Sequence, residues 1–284
     1  MQEPKLLTIC ICTMNRPEDL RRALASLMPQ SLATVSIMVS NDGLDEPVRT
    51  ICKEFSVDLV DGPRRGLGPN RNNCVSHAQT PLITFIDDDV IAGPDFIRAA
   101  LQVDRTKVTT GFELRHEGTG QPKVVTPHNA SFLGFQIKPP QSRVQAVVMN
   151  AAVFPTSALR AFPFDENITY GYEEIDISRK LASNGIQIAV DYSLWNNHHP
   201  SPINRKEYAT RLVASRIYTT YRAYRCYEAN STKATAFLLT AMVHHVLHLI
   251  RIKGDLRSAF RTAVQVRKMW RESQRDQGGR TPSR

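Results

Sequence analysis

Three consecutive carboxylates follow a short apolar segment, and their position suggests what chemistry they could do. Residues 82–86 (Leu-Ile-Thr-Phe-Ile) are typical of a buried strand. The carboxylates that follow are Asp87, Asp88 and Asp89. Adjacent anions repel one another, and a hard divalent cation with oxygen ligands relieves that repulsion. Because open α/β sheets bind ligands at the carboxyl ends of their strands, the triplet predicts a metal site for a phosphorylated ligand. A solvated acidic turn is the alternative.

The elements that must position these acids alternate between strand and helix signals over the first hundred residues. The predicted strands are residues 6–12, 35–39, 57–60 and 82–86, and helices begin near Pro17, Pro47 and Pro69. This alternation favours a parallel sheet with helices on both faces. Asn15, Asp42 and the aspartate triplet then follow three different strands. We expect them at one edge of the sheet, where a nucleotide would bind.

The rest of the chain divides into a less regular section and a helical one. Gly and Pro residues, among them Pro139 and Pro140, break residues 108–153 into hairpin-like pieces, interpreted as mixed sheet that shapes an acceptor pocket. A helix is predicted over 173–182, a last strand over 186–190, and helices from Pro202 to about Gln274. The predicted domains are a catalytic unit, 1–202, with a nucleotide-binding half (1–106) and an acceptor half (107–202), and a helical region, 203–284.

The charge of the chain is unevenly distributed. The formal net charge is +9, but residues 203–284 carry 17 Lys and Arg against 5 Asp and Glu, whereas the first 202 carry 19 against 22. Two regions with different partners are indicated. The five cysteines are scattered without a CxxC spacing, which favours neither a disulfide framework nor a zinc site. No N-terminal signal is visible in the sequence, so a cytoplasmic location is expected.

Several motifs, taken in their order along the chain, resemble the nucleotide-sugar glycosyltransferases of the GT-A fold, specifically the large inverting family 2. The resemblance covers about residues 6–199. It implies an α/β, Rossmann-like, mixed and mostly parallel sheet flanked by helices. In this chain a C-terminal helical extension would follow that sheet.

On the donor side, the resemblance assigns nucleotide contacts to seven residues and the cation to the triplet. The segment 12–17 resembles the first strand-to-helix turn of the family, Asn41-Asp42-Gly43 its paired-acid turn, and 68–72 the helix start whose arginine meets the nucleotide. The implied nucleotide contacts are Thr13, Asn15, Arg16, Asp42, Arg71, Asp87 and Asp88. The triplet resembles the DxD element, in which the last acid binds Mn²⁺ or Mg²⁺; this makes Asp89 the main metal ligand, with Asp87 sharing the ion. Separately, Asp42-Gly43 could be an ordinary turn and Arg71 a surface charge.

On the acceptor side, residues 149–154, 164–166 and 171–176 match the signature of the family. In that signature the second acid of a pair is the catalytic base, which places the role on Glu174, with Glu where Asp is commoner. Glu173 and Asp176 stay open as the base, and both are expected near the acceptor together with Asn150. The three acids could instead form the acidic first turn of a helix.

A pair of histidines follows the last predicted strand. His198 or His199 could bind the metal or touch the leaving diphosphate, as a downstream histidine does in some GT-A enzymes. Either could instead be a hydrogen-bonded structural residue. The sequence does not choose between them.

The resemblance implies a single displacement in which an acceptor hydroxyl attacks the anomeric carbon of a nucleoside-diphosphate sugar, with UDP as the expected nucleotide. A carboxylate takes the proton, and a cation neutralises the leaving diphosphate. One rival is a sugar nucleotidyltransferase, but residues 13–16 lack the glycine of a phosphate loop. The other rival is a membrane- or nucleic-acid-binding module built on the basic region; no nucleic-acid partner is expected for the enzyme.

The C-terminal region has an apolar helix followed by a basic one. Residues 237–250 are strongly apolar but interrupted by His244, His245 and His248, which predicts a poor transmembrane span. His244 and His248 have a metal-binding spacing but no acidic neighbour. The basic helix indicates contact with anionic lipid on the inner face of the cell membrane; packing on the catalytic domain or on a second copy in a homodimer is the alternative. A glycan, lipid-linked or other hydroxyl acceptor is expected.

Overall fold

The computed structural model describes residues 3–44, 46–138, 144–168, 170–200 and 205–278. The strands of these residues are β1 (Leu7–Thr13), β2 (Val35–Asn41), β3 (Asp58–Asp61), β4 (Leu82–Asp87), β5 (Val90–Ala92), β6 (Val108–Arg115), β7 (Lys123–Val125), β8 (Asn129–Ala130), β9 (Gln136–Ile137), β10 (Ala152–Pro155) and β11 (Ile188–His198). The α-helices are α1 (Pro17–Leu27), α2 (Glu46–Glu54), α3 (Leu67–His77), α4 (Phe96–Leu101), α5 (Thr156–Ala161), α6 (Glu173–Ser183), α7 (Arg205–Arg222), α8 (Ser231–Arg251) and α9 (Arg257–Gly278).

Nine of the strands form one mixed sheet in the order β3-β2-β1-β4-β10-β6-β11-β5, with β7 added to β6. The pairs among β1, β2, β3 and β4 are all parallel, and β10 runs antiparallel between β4 and β6. Strands β8 and β9 form a separate small pair. The predicted α/β architecture with a mixed sheet is confirmed.

Helices cover both faces of this sheet because the side chains of its strands alternate between two apolar layers. In β1, Leu7, Ile9 and Ile11 belong to one core, which includes residues of α1 and α2. Cys10 and Cys12 belong to the other, with residues of α3, α5 and α6. β1 is therefore buried on both faces, as a central parallel strand must be.

Helix α1 shows how local sequence sets an element. Pro17 occupies its first position, and acidic residues lie in its first turn. Its buried residues are Leu20, Ala23, Leu24 and Leu27, the stripe that helical periodicity predicts. The turn before α1 contains Asn15 in the left-handed region, φ 57°. This turn brings α1 back over the sheet and leaves Arg16 beside the aspartate triplet.

The last strand differs from its prediction. It was expected over 186–190, but β11 continues to His198. Its pairing with β6 shifts register between Val190 and Trp195, and beyond that shift it also pairs with β5. Local periodicity does not contain this extension, because it depends on pairing with two distant strands. Pro139, Pro140 and the expected domain boundary at 202/203 lie outside the described residues.

The C-terminal helices are continuous with the rest of the molecule. Helix α7 contacts α6, α8 and α9, and a third apolar core joins it to α8 and α9. That core contains Ile168 of the acceptor half. Among the described helices, only α8 is long and apolar enough to cross a membrane, and 28% of its apolar window is buried. The sequence predicted that this helix is a poor transmembrane span, but by length and composition it could cross a membrane. Core helices of soluble proteins meet the same criterion.

Candidate functional site

The predicted donor residues meet at the carboxyl ends of β1, β2 and β4. Cys12 pairs with Asp87, and Thr13 pairs with Asn41, across neighbouring parallel strands. This register places Thr13, Asp42 and the aspartate triplet at one edge of the sheet, as the sequence predicts. Asp88 and Asp89 are 5% and 8% exposed, so the triplet is not a solvated turn.

Asp88 is held by the turn that follows β1. Its carboxylate accepts a hydrogen bond from the Thr13 hydroxyl at 2.7 Å and one from Arg16 at 3.2 Å. Burial raises the pKa of Asp88 to about 6, although both partners act against the shift. Asn15, the third residue predicted from this turn, is exposed beside it.

Asp89 is linked to the end of β11. Its Oδ1 atom lies 3.3 Å from Nε2 of His198, and its Oδ2 lies 3.4 Å from Arg16. The other ring nitrogen of His198 lies 3.0 Å from Oε1 of Glu113. Burial alone would lower the pKa of His198, but the hydrogen bonds to Asp89 and Glu113 raise it to about 10. The imidazole of His198 therefore lies between two carboxylates, those of Asp89 and Glu113.

The structure distinguishes the two histidines that the sequence left open. His198 is largely buried between Asp89 and Glu113. The ring of His199 is exposed and stacks on His116, with ring centroids 4.4 Å apart. Only the backbone N–H of His199 reaches the triplet, by donating to the carbonyl of Asp89 at 2.9 Å. His198 is thus the histidine whose ring contacts Asp89.

Glu113 also fixes the end of β4 through Asn150. The amide of Asn150 donates to Oε2 of Glu113 at 3.0 Å, and its Oδ1 accepts from the backbone N–H of Asp87 at 2.9 Å. The backbone carbonyl of Asn150 also has a partner inside the protein, since Asn196 donates to it. Asn150, which the sequence places near the acceptor, also holds the backbone of Asp87 at the start of the triplet.

Arg71 connects the aspartates at the end of β4 to the glutamates at the start of α6. Its guanidinium lies 3.2 Å from Oδ1 of Asp87 and 3.4 Å from Oε1 of Glu173, the first residue of α6. The side chain is 2% exposed and lies between the rings of Phe85 and Phe164. Burial lowers the pKa of Arg71, but the two carboxylates outweigh it and raise the pKa, which keeps the group charged. Arg71 is therefore a buried residue of the candidate site and not a surface charge.

Glu174 follows Glu173 at the start of α6, after Gly171 and Tyr172, which both adopt left-handed backbone angles. Burial and the neighbouring carboxylate of Glu173 raise the pKa of Glu174 to about 8. A carboxyl group with a pKa near neutrality can accept a proton and release it again. Glu173 is paired with Arg71, so within this pair Glu174 is the carboxyl group whose pKa lies near neutrality.

Asp42 organises the loop between β3 and α3. Its two carboxylate oxygens accept from the backbone N–H groups of Arg64 at 2.8 Å and Gly66 at 3.0 Å. A Cβ atom at Gly62 would collide with Asp42, so only glycine fits at that position. Asp42 is 8% exposed and lies next to the ends of β1 and β2. It therefore shapes the loop above the predicted nucleotide crevice.

Asp176, the third predicted acid of α6, lies in a different environment. Its carboxylate accepts from Arg222 at 3.1 Å and from the Tyr227 hydroxyl at 2.9 Å, and its side chain is 1% exposed. Arg222 also pairs with Asp165, to which Tyr218 donates. These contacts join α6 to α7, and they pair the carboxylate of Asp176 with Arg222 and Tyr227.

The donor set at the triplet fits a divalent cation that is completed by a ligand. Asp89 Oδ1 and His198 Nε2 are 3.3 Å apart; two neighbouring ligands of one octahedral ion, each about 2.1 Å from it, lie about 3 Å apart. Glu113 on the second nitrogen is the outer-sphere carboxylate that a metal-bound imidazole usually has. Among the described residues no group of three or more His, Cys, Asp or Glu could hold an ion alone. Phosphate and water would have to supply the remaining ligands.

Sequence reasoning missed Glu113 and Arg222. Glu113 is a buried glutamate in β6, and its 6% exposure becomes meaningful only through its long-range contacts with His198 and Asn150. Alternation along β11 could have indicated His198, because Leu194 and Asn196 on the same face are fully buried. That signal was hidden because the predicted strand ended at Val190.

Comparison with known sequences gives a family match and distant relatives. The sequence model described as Glycosyl transferase family 2 matches residues 8–165, which is more than half of the chain. Validoxylamine A glucosyltransferase of Streptomyces hygroscopicus subsp. jinggangensis is 23% identical over 246 residues, covering 69% of this chain and 56% of that protein. The chain thus spans about half the length of the curated relatives it matches.

Comparison with solved structures shows the same fold. GalNAc-T7 with UDP, GalNAc and Mn²⁺ superposes with a TM-score of 0.64 at 11% identity, covering 80% of this chain and 50% of that one. TarS residues 1–349 of S. aureus with UDP-GlcNAc superposes with a TM-score of 0.58 at 14% identity, covering 84% and 71%. At these identities the likeness is one of fold. The GT-A architecture expected from the sequence is confirmed.

Proposed function

The chain belongs to glycosyl transferase family 2. On that premise we propose that it transfers a sugar from a nucleoside-diphosphate donor to an acceptor hydroxyl, with inversion at the anomeric carbon. A UDP-sugar is the first candidate for the donor. The observation that carries this proposal is the position of Arg71. One buried guanidinium bonds to Asp87 at the end of β4 and to Glu173 at the start of α6. Two acidic clusters that are far apart in the sequence therefore face one site, as a displacement between donor and acceptor requires.

We assign the nucleotide to the edge formed by β1, β2 and β4. Asp42 and the turn 13–16 lie at this edge, and Arg71 and Arg16 supply positive charge there. Asp88 is held in place by Thr13 and Arg16, which fits it to accept from a ribose hydroxyl. The structures of GalNAc-T7 with UDP and of TarS with UDP-GlcNAc, which share the fold, support a uridine nucleotide as the first candidate.

Asp89 and His198 are the residues that would hold Mn²⁺ or Mg²⁺, with Glu113 orienting the imidazole. The cation would take the place of the proton on Nε2 of His198, which faces Asp89. When bound, the cation supplies positive charge for the leaving diphosphate. The imidazole favours Mn²⁺, because Mg²⁺ is usually held by oxygen ligands alone. Asp87, which pairs with Arg71, borders this site and serves the nucleotide more directly than the ion.

Glu174 is the proposed base. In an inverting displacement the acceptor oxygen forms a bond to the anomeric carbon, the diphosphate leaves from the opposite face, and the hydroxyl proton passes to a carboxylate. Glu174 has a raised pKa and a neighbour, Glu173, whose Oε1 is fixed by Arg71. Among the described residues no donor reaches the buried Oε2 of Glu173, which leaves that atom to bind a second hydroxyl of the acceptor.

The acceptor is proposed only as a class, a glycan or lipid-linked glycan with a free hydroxyl. Carboxylates on α6 suit hydroxyl groups and disfavour anionic groups close to them. We also propose a cytoplasmic location, which the five free cysteines support, since four of them are buried thiols of the kind kept reduced inside cells.

A donor-turnover assay tests the proposal. Purified protein is incubated with UDP-, GDP- and dTDP-sugars, with and without Mn²⁺, and nucleoside diphosphate release is measured with simple glycan acceptors. The proposal expects release from one nucleotide class that requires the metal. Release of pyrophosphate from a nucleoside triphosphate and sugar phosphate, with no diphosphate release, would instead assign the chain to sugar nucleotide synthesis and contradict it.

A further inference from the structure

Helix α8 presents an apolar face that the rest of the described protein leaves uncovered. Between Lys233 and Arg251 its sequence contains no Lys, Arg, Asp or Glu. At helical spacing along this stretch, four large aliphatic side chains are 57–65% exposed. They are Leu239, Val243, Leu247 and Ile250. Exposed helix faces of water-soluble proteins are normally polar, so a stripe of this length indicates a contact surface.

The opposite face of α8 is fixed to the protein. Phe237 and Ala241 are completely buried in the core shared with α7, and Leu249 is 8% exposed. A helix crossing a bilayer would have to withdraw these side chains from that core. The arrangement is that of an amphipathic helix that can lie along an apolar boundary while one face stays on its own domain.

The exposed apolar surface continues through the turn into α9. Ile252 and Leu256 are exposed in the turn, and Phe260 and Val264 follow on α9, with Phe260 73% exposed. Phe260 and Val264 are four residues apart and therefore lie on one face of α9, and Leu256 precedes them at the same spacing. We call the eight exposed side chains from Leu239 to Val264 the apolar hairpin surface.

Cationic groups border the apolar hairpin surface. Residues 251–275 contain eight Lys and Arg against two acids. Between α7 and α9 a cleft of about 610 Å³ is lined by Arg211, Arg261 and Lys268 together with Phe260 and Val264. Arg261 and Lys268 have carboxylate neighbours, at 2.7 and 3.8 Å, but Arg211 stacks on the ring of Tyr208. Three cations beside two exposed apolar side chains match the boundary between phosphate headgroups and acyl chains.

We propose that the apolar hairpin surface docks on an anionic phospholipid bilayer, with α8 and α9 lying in the interface and the basic cleft receiving a lipid phosphate. Charge decides between a bilayer and a second copy of the chain. A symmetric dimer through this surface would oppose two rims of the same positive sign. An anionic bilayer neutralises that charge while it covers the same apolar side chains.

Docking would also fix the orientation of the site. Helix α7 packs against both α8 and α9, and its Arg222 pairs with Asp165 and with Asp176 of α6. Glu174 lies on α6, the helix that contains Asp176. The helices that would meet the membrane are thus connected through buried ion pairs to the acceptor side. The membrane proposal does not depend on the transferase reaction, because it concerns a different surface and a different ligand.

Vesicle flotation tests the proposal. The full chain is mixed with phosphatidylcholine vesicles, with or without about one quarter phosphatidylglycerol, and the bound fraction is measured across a salt series. We expect binding to the anionic vesicles that weakens as salt rises, and little binding to phosphatidylcholine alone. Equal binding to both vesicle types would contradict the anionic-lipid assignment, and no binding at low salt would overturn the proposal.

Two variants test the surface itself. A double variant places charge on the apolar hairpin surface: Leu247→Glu with Phe260→Glu. A triple variant removes exposed cations: Lys253→Gln, Arg257→Gln and Arg267→Gln. Since each basic residue near an anionic surface contributes about fivefold, the triple variant should bind about a hundredfold more weakly. Val124→Glu, which alters a 56% exposed side chain on β7, is the matched control and should bind normally.

Sedimentation of the same proteins identifies the competing occupant. We expect the parent and the Leu247→Glu, Phe260→Glu variant to sediment alike. We also expect that variant to lose vesicle binding. A parent dimer that this variant dissociates, with no vesicle binding by either protein, would assign the surface to self-association and refute the membrane proposal. Circular dichroism confirms that each variant is folded.

Discussion

Arg71 donates from Nη1 to Glu173, 3.4 Å away, although 102 positions separate the two residues in the chain. The contact joins the second turn of α3 to the first turn of α6. It places a buried positive charge between the acids of β4 and those of α6, where the proposed diphosphate and acceptor would meet. One buried side chain therefore links the acids of β4 to those of α6.

Arg71→Lys should separate these two sides while retaining the charge. A single ammonium group cannot reproduce the forked geometry that reaches Asp87 and Glu173 together, so we expect kcat/KM to fall about a hundredfold. Steady-state kinetics measures this effect. Arg98→Lys is the control, because Arg98 is 75% exposed and pairs with Asp95, three residues before it. Activity of Arg71→Lys within a factor of two of the parent would show that the bridge is dispensable.

Glu174 should determine the pH dependence of transfer. A base acts in its ionised form, and with a pKa of about 8 Glu174 is mostly protonated at pH 7. Activity should therefore rise as the pH increases from 6.5 to 8.5 and then level off. Glu174→Gln should lower kcat about a thousandfold and abolish this rise.

The stability of Glu174→Gln gives an independent check. The pKa of Glu174 is raised in the folded state, so its ionisation destabilises the fold. This loss of stability grows as the pH rises from the ordinary pKa of a glutamate towards 8. The Gln variant lacks that penalty, so its melting temperature at pH 8.5 should equal or exceed that of the parent. A Gln variant with an unchanged rate and pH profile would remove Glu174 from the role of base.

Glu113 should affect metal binding through His198. Glu113→Gln removes the carboxylate that lies 3.0 Å from the imidazole, and loss of such an outer partner weakens metal affinity by about 10- to 100-fold. Electron paramagnetic resonance of Mn²⁺ with the protein and UDP measures the affinity directly. Glu117→Gln is the control, since Glu117 is a half-exposed glutamate near the end of the same strand. Unchanged Mn²⁺ affinity in Glu113→Gln would mean that His198 is not a ligand.

Arg222 should be required for stability. Its guanidinium pairs with Asp165 and Asp176, whose side chains are 3% and 1% exposed. Arg222→Leu removes the guanidinium shared by two buried carboxylates and leaves Lys180, 4.0 Å from Asp176, as the remaining cation. We expect this to cost about 3–5 kcal/mol in the free energy of unfolding measured with urea. Arg225→Leu, at an exposed position three residues later, should cost less than about 0.5 kcal/mol.

The pH dependence of this loss has a defined sign. Burial would raise the pKa of Asp165, but Arg222 holds it below its ordinary value. The stabilisation is therefore present above the ordinary pKa near 3.9 and is lost as the pH falls through the lower folded value. The difference between parent and Arg222→Leu should shrink in acid. Equal stability of the two proteins at pH 7 would show that the network contributes nothing.

Local sequence predicts the donor half of this fold well. The apolar stripe of α1 and the short apolar strands are periodic over few residues, and the acids that follow them are close in sequence to the strands that place them. Arg71 follows from family resemblance, but its two ion pairs do not, because Glu173 belongs to a different half of the chain.

What the sequence did not predict depends on distant pairing. The end of β11 is formed by contacts with β5 and β6, so neither the extension nor the choice of His198 over His199 follows from local periodicity. Asp176 was expected near the acceptor because it is adjacent to Glu174 in the motif. Its position on the helix turns it towards Arg222, a residue 46 positions later.

The central claim is that the acids at the end of β4 bind a nucleoside diphosphate through a cation. Calorimetric titration of UDP into the parent protein and into Asp89→Asn, each with and without Mn²⁺, tests it most directly, with Asp95→Asn as an exposed control. The account predicts metal-dependent binding by the parent and by Asp95→Asn, and its loss in Asp89→Asn. Binding of UDP that is equally tight without metal and unchanged in Asp89→Asn would contradict it.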